Sequence, residues 1–252
     1  MDAVAILAPN PGPMTLEGTN TYVVGRDPAY VIDPGPAEPA HLEAIRAAAA
    51  PRGGIGGVLL THSHFDHSAA AEALGAPVLW GQVAEGHEGS WRAPTPAPPE
   101  APERIGPFRL VPTPGHSADH VCFAIGGVCF CGDLILGRGS SIVPPRALGG
   151  SLADYMRSLD AVEGLAPRLL APGHGPLVGD PAAKVAEYRE HRLGRERALL
   201  AALAAGERSW ARLLEIAWAD VPGPLRPAAA LALEAHLEKL AAEGRLPAGV
   251  TG

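Results

Sequence analysis

Residues 58–70 read VLLTHSHFDHSAA, and no other stretch limits the fold as strongly. Three histidines and one aspartate (His62, His64, Asp66 and His67) fill six positions between an apolar run and an alanine-rich run. The chain has ten histidines in all. The run before the cluster, GGVLL, reads as a buried strand ending near Leu60. SAAAEALG has helical composition and a glycine stop, so a helix is expected from near Ser68, with Ser68 as its cap. The cluster is then a strand-to-helix loop at a sheet edge, where α/β folds place their sites. Residues two apart in extended backbone point to one side, so His62 and His64 converge on one point. Asp66 and His67 lie beyond, where the turn aims them at a second point. Imidazole and carboxylate are ligands for zinc, and also for iron or manganese.

Two metals need more than four ligands, and three later loops supply candidates. They are TPGHSADH with His116, CGDLIL with Asp133 and APGHG with His174, each after an apolar run. A carboxylate has two oxygens, so Asp133 suits a bridging place. An isolated histidine is more often structural than a ligand. The sequence of these motifs outweighs that reading for the cluster, whereas His41, His87, His191 and His236 are expected on the surface or on helices. His120, close to His116, is expected behind the ligands if it takes part at all.

The rest of the chain reads as strands first and helices later. TNTYVVG and AYVIDPG are short strands around the turn RDP, and AEPAHLEAIRAAAA is a helix that stops at Pro51. APVLW, FRLVPTPG, HVCFAIGG, VCFCGDLIL and RLLAPGHG are strand-like, and SLADYMRSLDAVEGL is a helix capped by Ser151. Residues 92–104 hold five prolines and are expected as an exposed or polyproline-like connection. After Gly179 three helical stretches follow. A boundary near 180 is expected, with a catalytic unit over 1–179 and a small unit over 180–252. Residues 180–252 carry ten basic and ten acidic residues, so the first 179 hold the whole net charge of -7.

The motifs carry a resemblance. THSHFDH matches the T-H-x-H-x-D-H signature of the metallo-β-lactamase superfamily, and His116, Asp133 and His174 match its remaining ligands in order. The resemblance covers about residues 4–179. It implies a four-layer αβ/βα sandwich with two metal ions at one edge of the sheets. It also implies one ion on His62, His64 and His116, another on Asp66, His67 and His174, and Asp133 as the bridge. EGTNTYVVG, GDLILGRGSSIV, DYMRSLDAV and EHRLGRERALL are similar to the β-lactamase-like protein 2 subgroup, which includes a mitochondrial endoribonuclease. ALALEAHLEKLAAEGRL is similar to that subgroup's small winged-helix-like C-terminal domain.

The chemistry that follows is hydrolysis. Two ions, most simply zinc, hold a bridging hydroxide of near-neutral pKa and polarise the substrate oxygen. Asp66 and Asp133 are the catalytic carboxylates, with Asp66 also orienting the hydroxide. Fold and metal site alone do not name the substrate. Asp133 resembles the glyoxalase II, lactonase and ribonuclease branches. An ester or thioester is expected first, because the chain is acidic and small, and single-stranded RNA second. Asn20 and Tyr22 near the metal edge, and Arg138 after Asp133, are candidate substrate contacts; a tight turn or a solvated loop accounts for the same residues. Arg189, Arg192, Arg195 and Arg197 are interleaved with Glu187, Glu190 and Glu196, which reads as a solvated, salt-bridged helix face. The three cysteines do not form a disulfide framework, and Cys129 and Cys131 read as buried thiols on one strand face. No run approaches the roughly 20 apolar residues of a membrane span, and no basic segment precedes the first apolar stretch. A cytoplasmic protein without a membrane partner is therefore expected.

Overall fold

The computed structural model describes residues 2–84, 95–96 and 101–250. Ten strands form two five-stranded sheets. The first sheet runs in chain order: β1 (Ala3–Leu7), β2 (Asn20–Val24), β3 (Ala29–Ile32), β4 (Ile55–Leu59) and β5 (Val78–Trp80). β1 to β3 are antiparallel, and β4 and β5 run parallel to β3. Helix α1 (Pro39–Ala49) makes the crossover between β3 and β4. The second sheet has the order β10-β9-β8-β7-β6. Its strands are β6 (Arg104–Ile105), β7 (Phe108–Pro112), β8 (Val121–Ile125), β9 (Val128–Gly132) and β10 (Leu169–Pro172). β10 is parallel to β9 after the crossover helix α3 (Leu152–Gly164).

Strand alternation sorts the side chains into layers. Tyr22, Val24, Ile32 and Leu59 face Phe108, Phe123 and Phe130 between the sheets. Tyr22 and Phe130 meet edge-on with ring centroids 5.0 Å apart. The alternate positions Val23, Val31 and Val58 pack outward on Leu42 and Ile45 of α1. On the other outer face Cys122, Cys129 and Cys131 pack against Tyr155 and Leu159 of α3. The cysteines are thus buried free thiols, as their spacing predicts. The result is the expected four-layer sandwich.

β1 has no counterpart in the sequence reading. It is an edge strand whose residues are mostly exposed, so AVAIL shows no period-two pattern. The helix expected from Ser68 starts earlier. α2 is a single turn over Phe65–Ser68, followed by a 3-10 turn over Glu72–Leu74. The Ala70 N–H donates to Gly35 O at 2.9 Å, which takes it out of the helical ladder. Ser68 is no N-cap: its hydroxyl donates to His64 O and accepts from Ala84 N. Ser151 caps α3 as expected, accepting from Asp154 N. The proline-rich connection falls largely outside the described residues, and so does His87.

The C-terminal part is helical: α4 (Pro181–Ala204), α5 (Trp210–Ala217) and α6 (Arg226–Ala242). These enclose their own core of Leu199, Leu203, Leu213, Trp218, Leu233 and Leu240. The face of α4 toward the protein carries Val185, Tyr188, Arg192, Glu196, Leu199 and Leu203. Spacings of three and four place these on one side. Arg192 and Glu196 are therefore buried, contrary to the solvated face expected of them. Glu196 accepts from Lys239 at 2.6 Å and Arg245 at 2.7 Å. Arg189 and Arg197 do pair at the surface, with Asp160 and Glu163 and with Glu190. His41 and His236 lie on helices α1 and α6, as expected, with both side chains turned inward: His41 lies 2.9 Å from Thr21 Oγ1, and His236 lies edge-on to Trp218. Among the described residues, no helix is long and apolar enough to cross a membrane.

Candidate metal centre

Five strands deliver polar residues to the same point at one edge of the sandwich. Asp33 follows β3, His62 to His67 follow β4, and His116 follows β7. Asp133 follows β9 and His174 follows β10. His62, His64 and His116 offer nitrogens within 4.8 Å of one another. So do the ligand atoms of Asp66, His67 and His174, and those of His62, His67 and Asp133. The seven residues singled out in the sequence thus meet in one buried cluster.

Within the first set, His64 Nδ1 lies 2.9 Å from His62 Nε2 and 3.0 Å from His116 Nε2. In the second, His174 Nε2 lies 3.2 Å from Asp66 Oδ2 and 3.3 Å from His67 Nε2. Nitrogens at such spacings match the edges of a small coordination shell, about 3.3 Å for a tetrahedral zinc site with ~2.0 Å bonds. Asp133 stands between the sets. Its Oδ1 is 3.4 Å from His67 and 3.5 Å from His174, while Oδ2 is 3.8 Å from His116. Asp133 Oδ1 is buried and forms no hydrogen bond. A buried carboxylate oxygen without a donor calls for a cation.

Hydrogen bonds behind the cluster set the imidazole tautomers. His116 Nδ1 donates to Ile142 O at 2.7 Å, and His174 Nδ1 to Gly18 O at 3.1 Å. His67 Nδ1 donates to Asp33 Oδ2 at 3.0 Å. Asp33 also accepts from the N–H and the hydroxyl of Thr61 at 2.8 and 2.7 Å, and Thr61 Oγ1 in turn receives His62 Nδ1 at 3.0 Å. With Nδ1 carrying the proton, Nε2 of His62, His67, His116 and His174 presents its lone pair to the cluster, whereas His64 faces it with Nδ1. His120 holds the Asp133 backbone, accepting from its N–H at 3.2 Å. Asp119 accepts from Ser63 N at 2.8 Å and so pins the 62–64 loop.

Electrostatics divide the cluster. Burial, then the neighbouring His116, drives His64 down to about 3, and burial also lowers His62 and His116. These rings are neutral at neutral pH. At His174 burial acts downward, but Asp133 and Asp66 outweigh it and carry the imidazole up to about 10. Asp66 is held at about 2, because His67 and His174 outweigh its burial. In the ion-free protein protons on imidazole thus balance the carboxylates, a role that bound cations take over.

Close backbone approach explains the glycines of the motifs. A Cβ on Gly173 would fall 2.5 Å from His67 Cε1 and 2.6 Å from Asp133 Oδ1. Gly18 has φ +138, and a Cβ there would lie 2.1 Å from Ala8 O. Its carbonyl is the one that orients His174.

A cavity of about 760 Å³ opens over the cluster. His64, Asp66, His116, Asp133 and His174 line it on one side, and Leu136 and Ile142 flank them. The far wall belongs to the C-terminal helices: His191, Arg192, Arg195, Trp218, Val221, Leu225, Ala229 and Ala232. Arg138 lines the cavity, but its guanidinium meets Glu17 at 2.5 Å. Asn20 and Tyr22 do not extend into it. Asn20 donates to Pro172 O and Gly175 O, and Tyr22 donates to Pro172 O. Both brace the loop that carries His174, which corrects their reading as substrate contacts. Sequence reasoning passed over Asp33, Thr61, Asp119 and Ser141. For Asp33 the signal was the turn IDPG directly after a strand, where φ is +49.

Comparison with known proteins agrees with this geometry. Residues 14–92 and 100–174 match the metallo-beta-lactamase superfamily, and residues 209–247 match the beta-lactamase associated winged helix domain. A beta-lactamase-like protein 2 homolog of Drosophila melanogaster is 31% identical over 271 residues, covering 96% of this chain and 89% of that protein. The crystal structure of the metallo-beta-lactamase family protein TTHA1429 from Thermus thermophilus superposes with a TM-score of 0.73 at 24% identity. That match covers 96% of this chain and 94% of the other. TTHA1623 in a di-iron-bound form gives a TM-score of 0.53 at 29% identity, covering 70% of this chain and 94% of the other. With two family matches in tandem and a relative aligned along nearly its whole length, this chain belongs to the metallo-β-lactamase superfamily of metal-dependent hydrolases and ends in a winged-helix domain.

Proposed function

We propose that the protein is a cytoplasmic hydrolase of a small ester or thioester, working with two divalent ions. In this reading His62, His64 and His116 would hold one ion, Asp66, His67 and His174 would hold the other, and Asp133 would serve both. The buried Asp133 Oδ1, without a hydrogen bond and 3.4 and 3.5 Å from His67 and His174, supports a place for Asp133 between the two ligand sets. Zinc suits the imidazole-rich donor set, and iron remains open given the di-iron form of a structural relative. Bound there, two ions would provide a hydroxide at neutral pH and polarisation of the scissile carbonyl. Asp66, on the cavity side of the cluster, would orient that hydroxide, whose proton would pass to the departing alcohol or thiol as the acyl bond breaks and the carboxylate forms. In the same reading residues 1–179 form the hydrolase unit, and 180–252 shape its substrate cavity.

The observation that carries the acyl reading is the far wall. Trp218, Val221, Leu225, Ala229 and Ala232 present carbon to the cavity. Its arginines are engaged already: Arg138 with Glu17, Arg195 with Asp220 and Arg192 with Ser141 O. An apolar acyl tail fits such a wall. A phosphodiester backbone needs cations free to neutralise it. Single-stranded RNA, the other substrate class the resemblance suggests, is tested in the same assay. The full-length, zinc-loaded protein is offered a chain-length series of thioesters and p-nitrophenyl esters beside single-stranded RNA, with Asp66→Ala as control. The expected result is acyl turnover that the control loses. RNA cleavage lost in the control, with no acyl turnover, refutes the reading. Elemental analysis should find two ions per chain; one ion with full activity refutes the paired site.

A further inference from the structure

Arg192 belongs to the C-terminal helices, yet it reaches the loop that holds the ligands. It is 4% exposed, and among the described residues no carboxylate forms an ion pair with it. Its guanidinium lies over the Tyr155 ring at 5.0 Å, and its Nε has no hydrogen-bond partner. Burying a cation without a counter-charge is costly. What it does make is one short bond: Nη2 donates to Ser141 O at 2.5 Å.

Ser141 touches His116 and the backbone of Asp133. Its hydroxyl donates to Asp133 O at 2.5 Å and lies 3.3 Å from His116 Nδ1. The next carbonyl, Ile142 O, receives the His116 Nδ1 proton. A rotation of the 141–142 peptides would therefore turn the His116 ring and release the Asp133 backbone together. The other clamps on this loop act upstream. Tyr155 OH donates to Leu134 O at 2.5 Å, and Tyr188 OH accepts from Leu136 N at 2.9 Å. Arg192 holds the end nearest His116.

We propose that Arg192 is a positioning residue that fixes the 141–142 peptides, so that the C-terminal helices set the geometry of His116 and Asp133. The proposal rests on the reading of those two residues as metal ligands. Outer partners of metal ligands are worth about 10–100-fold in affinity or activity, and Arg192 stands one link further out. The expected effect is at the low end, about tenfold.

The test uses the full chain with Arg192→Met, Arg192→Lys and Leu199→Ala. Leu199 lies in the core of the C-terminal helices, away from the loop. Three quantities are read: zinc affinity by chelator competition, the visible spectrum of the cobalt-substituted protein, and the melting temperature of the metal-free form. Arg192→Met should weaken one ion about tenfold and shift the cobalt bands. Arg192→Lys, which keeps a donor, should recover part of both. Leu199→Ala should lower the melting temperature and leave affinity and spectrum in place. Wild-type affinity and spectrum in Arg192→Met overturn the proposal, and so does an equal loss in Leu199→Ala. Should Arg192→Met fail to fold, Arg192→Lys decides alone by the same two readings. A wild-type chain that binds no ion refutes the metal reading itself, a result separate from any of these.

Discussion

Asp33→Asn removes one charge and almost no volume, yet it should reach two ligands at once. Asp33 accepts three hydrogen bonds: from Thr61 N, Thr61 Oγ1 and His67 Nδ1, at 2.8, 2.7 and 3.0 Å. An asparagine keeps the first through its carbonyl. Its amide then points hydrogens at the Thr61 hydroxyl and at His67 Nδ1, both of which already present hydrogens. His67 escapes by moving its proton to Nε2, the atom that faces His174 and Asp133. Thr61 escapes by turning its hydroxyl, which disturbs the support of His62 Nδ1. Loss of such outer partners costs about 10–100-fold in metal affinity, or roughly 1.4–2.7 kcal/mol. Replacing two bonds to a charged acceptor also lowers stability, by about 2–4 kcal/mol. At about 2–4 °C per kcal/mol for a chain of this size, the metal-free melting temperature should fall by roughly 4–16 °C. Chelator competition measures the first effect and scanning calorimetry of the ion-free protein the second. An Asp33→Asn protein that binds zinc with wild-type affinity refutes the tautomer argument, whatever its stability.

Gly173→Ala places a methyl 2.5 Å from His67 Cε1 and 2.6 Å from Asp133 Oδ1. It should lose at least about tenfold in metal affinity; full occupancy by elemental analysis under limiting zinc contradicts this. His236 is held down to about 4, first by burial, against an ordinary value of 6.5. The folded state then refuses a proton that the unfolded chain accepts. The His236 contribution to stability should be complete above pH 6.5 and be lost as pH drops toward 4, by up to about 3 kcal/mol. His236→Phe should make the melting temperature fall less steeply between those values, and an unchanged slope counts against this account.

The clustering of the seven candidate ligands was legible in the sequence because each sits in a short loop after an apolar run, and local chain geometry decides where such a loop falls. The same locality made α1, α3 and the three C-terminal helices readable, and it placed Cys129 and Cys131 on one buried face. The IDPG turn marked Asp33 as a strand-end residue, but what Asp33 and Asp119 would hold was not legible. Their partners, Thr61, His67 and Ser63, lie 28 to 56 positions away, and a lone aspartate in a turn carries no mark of what will pack beside it. Arg192 and Glu196 misled for a related reason. Charge reads as surface, and only the packing of α4 decided which of its faces turned inward. Asn20 and Tyr22 stand close to the metal edge in the chain's order, but β10 arrives beside them and takes up their hydrogen bonds. Sequence spacing thus determined which atoms can meet a metal. The tertiary contacts decided which nitrogen of each ring faces it, what wall faces the substrate, and which buried charge holds the ligand loop, because those depend on neighbours that are distant in the chain.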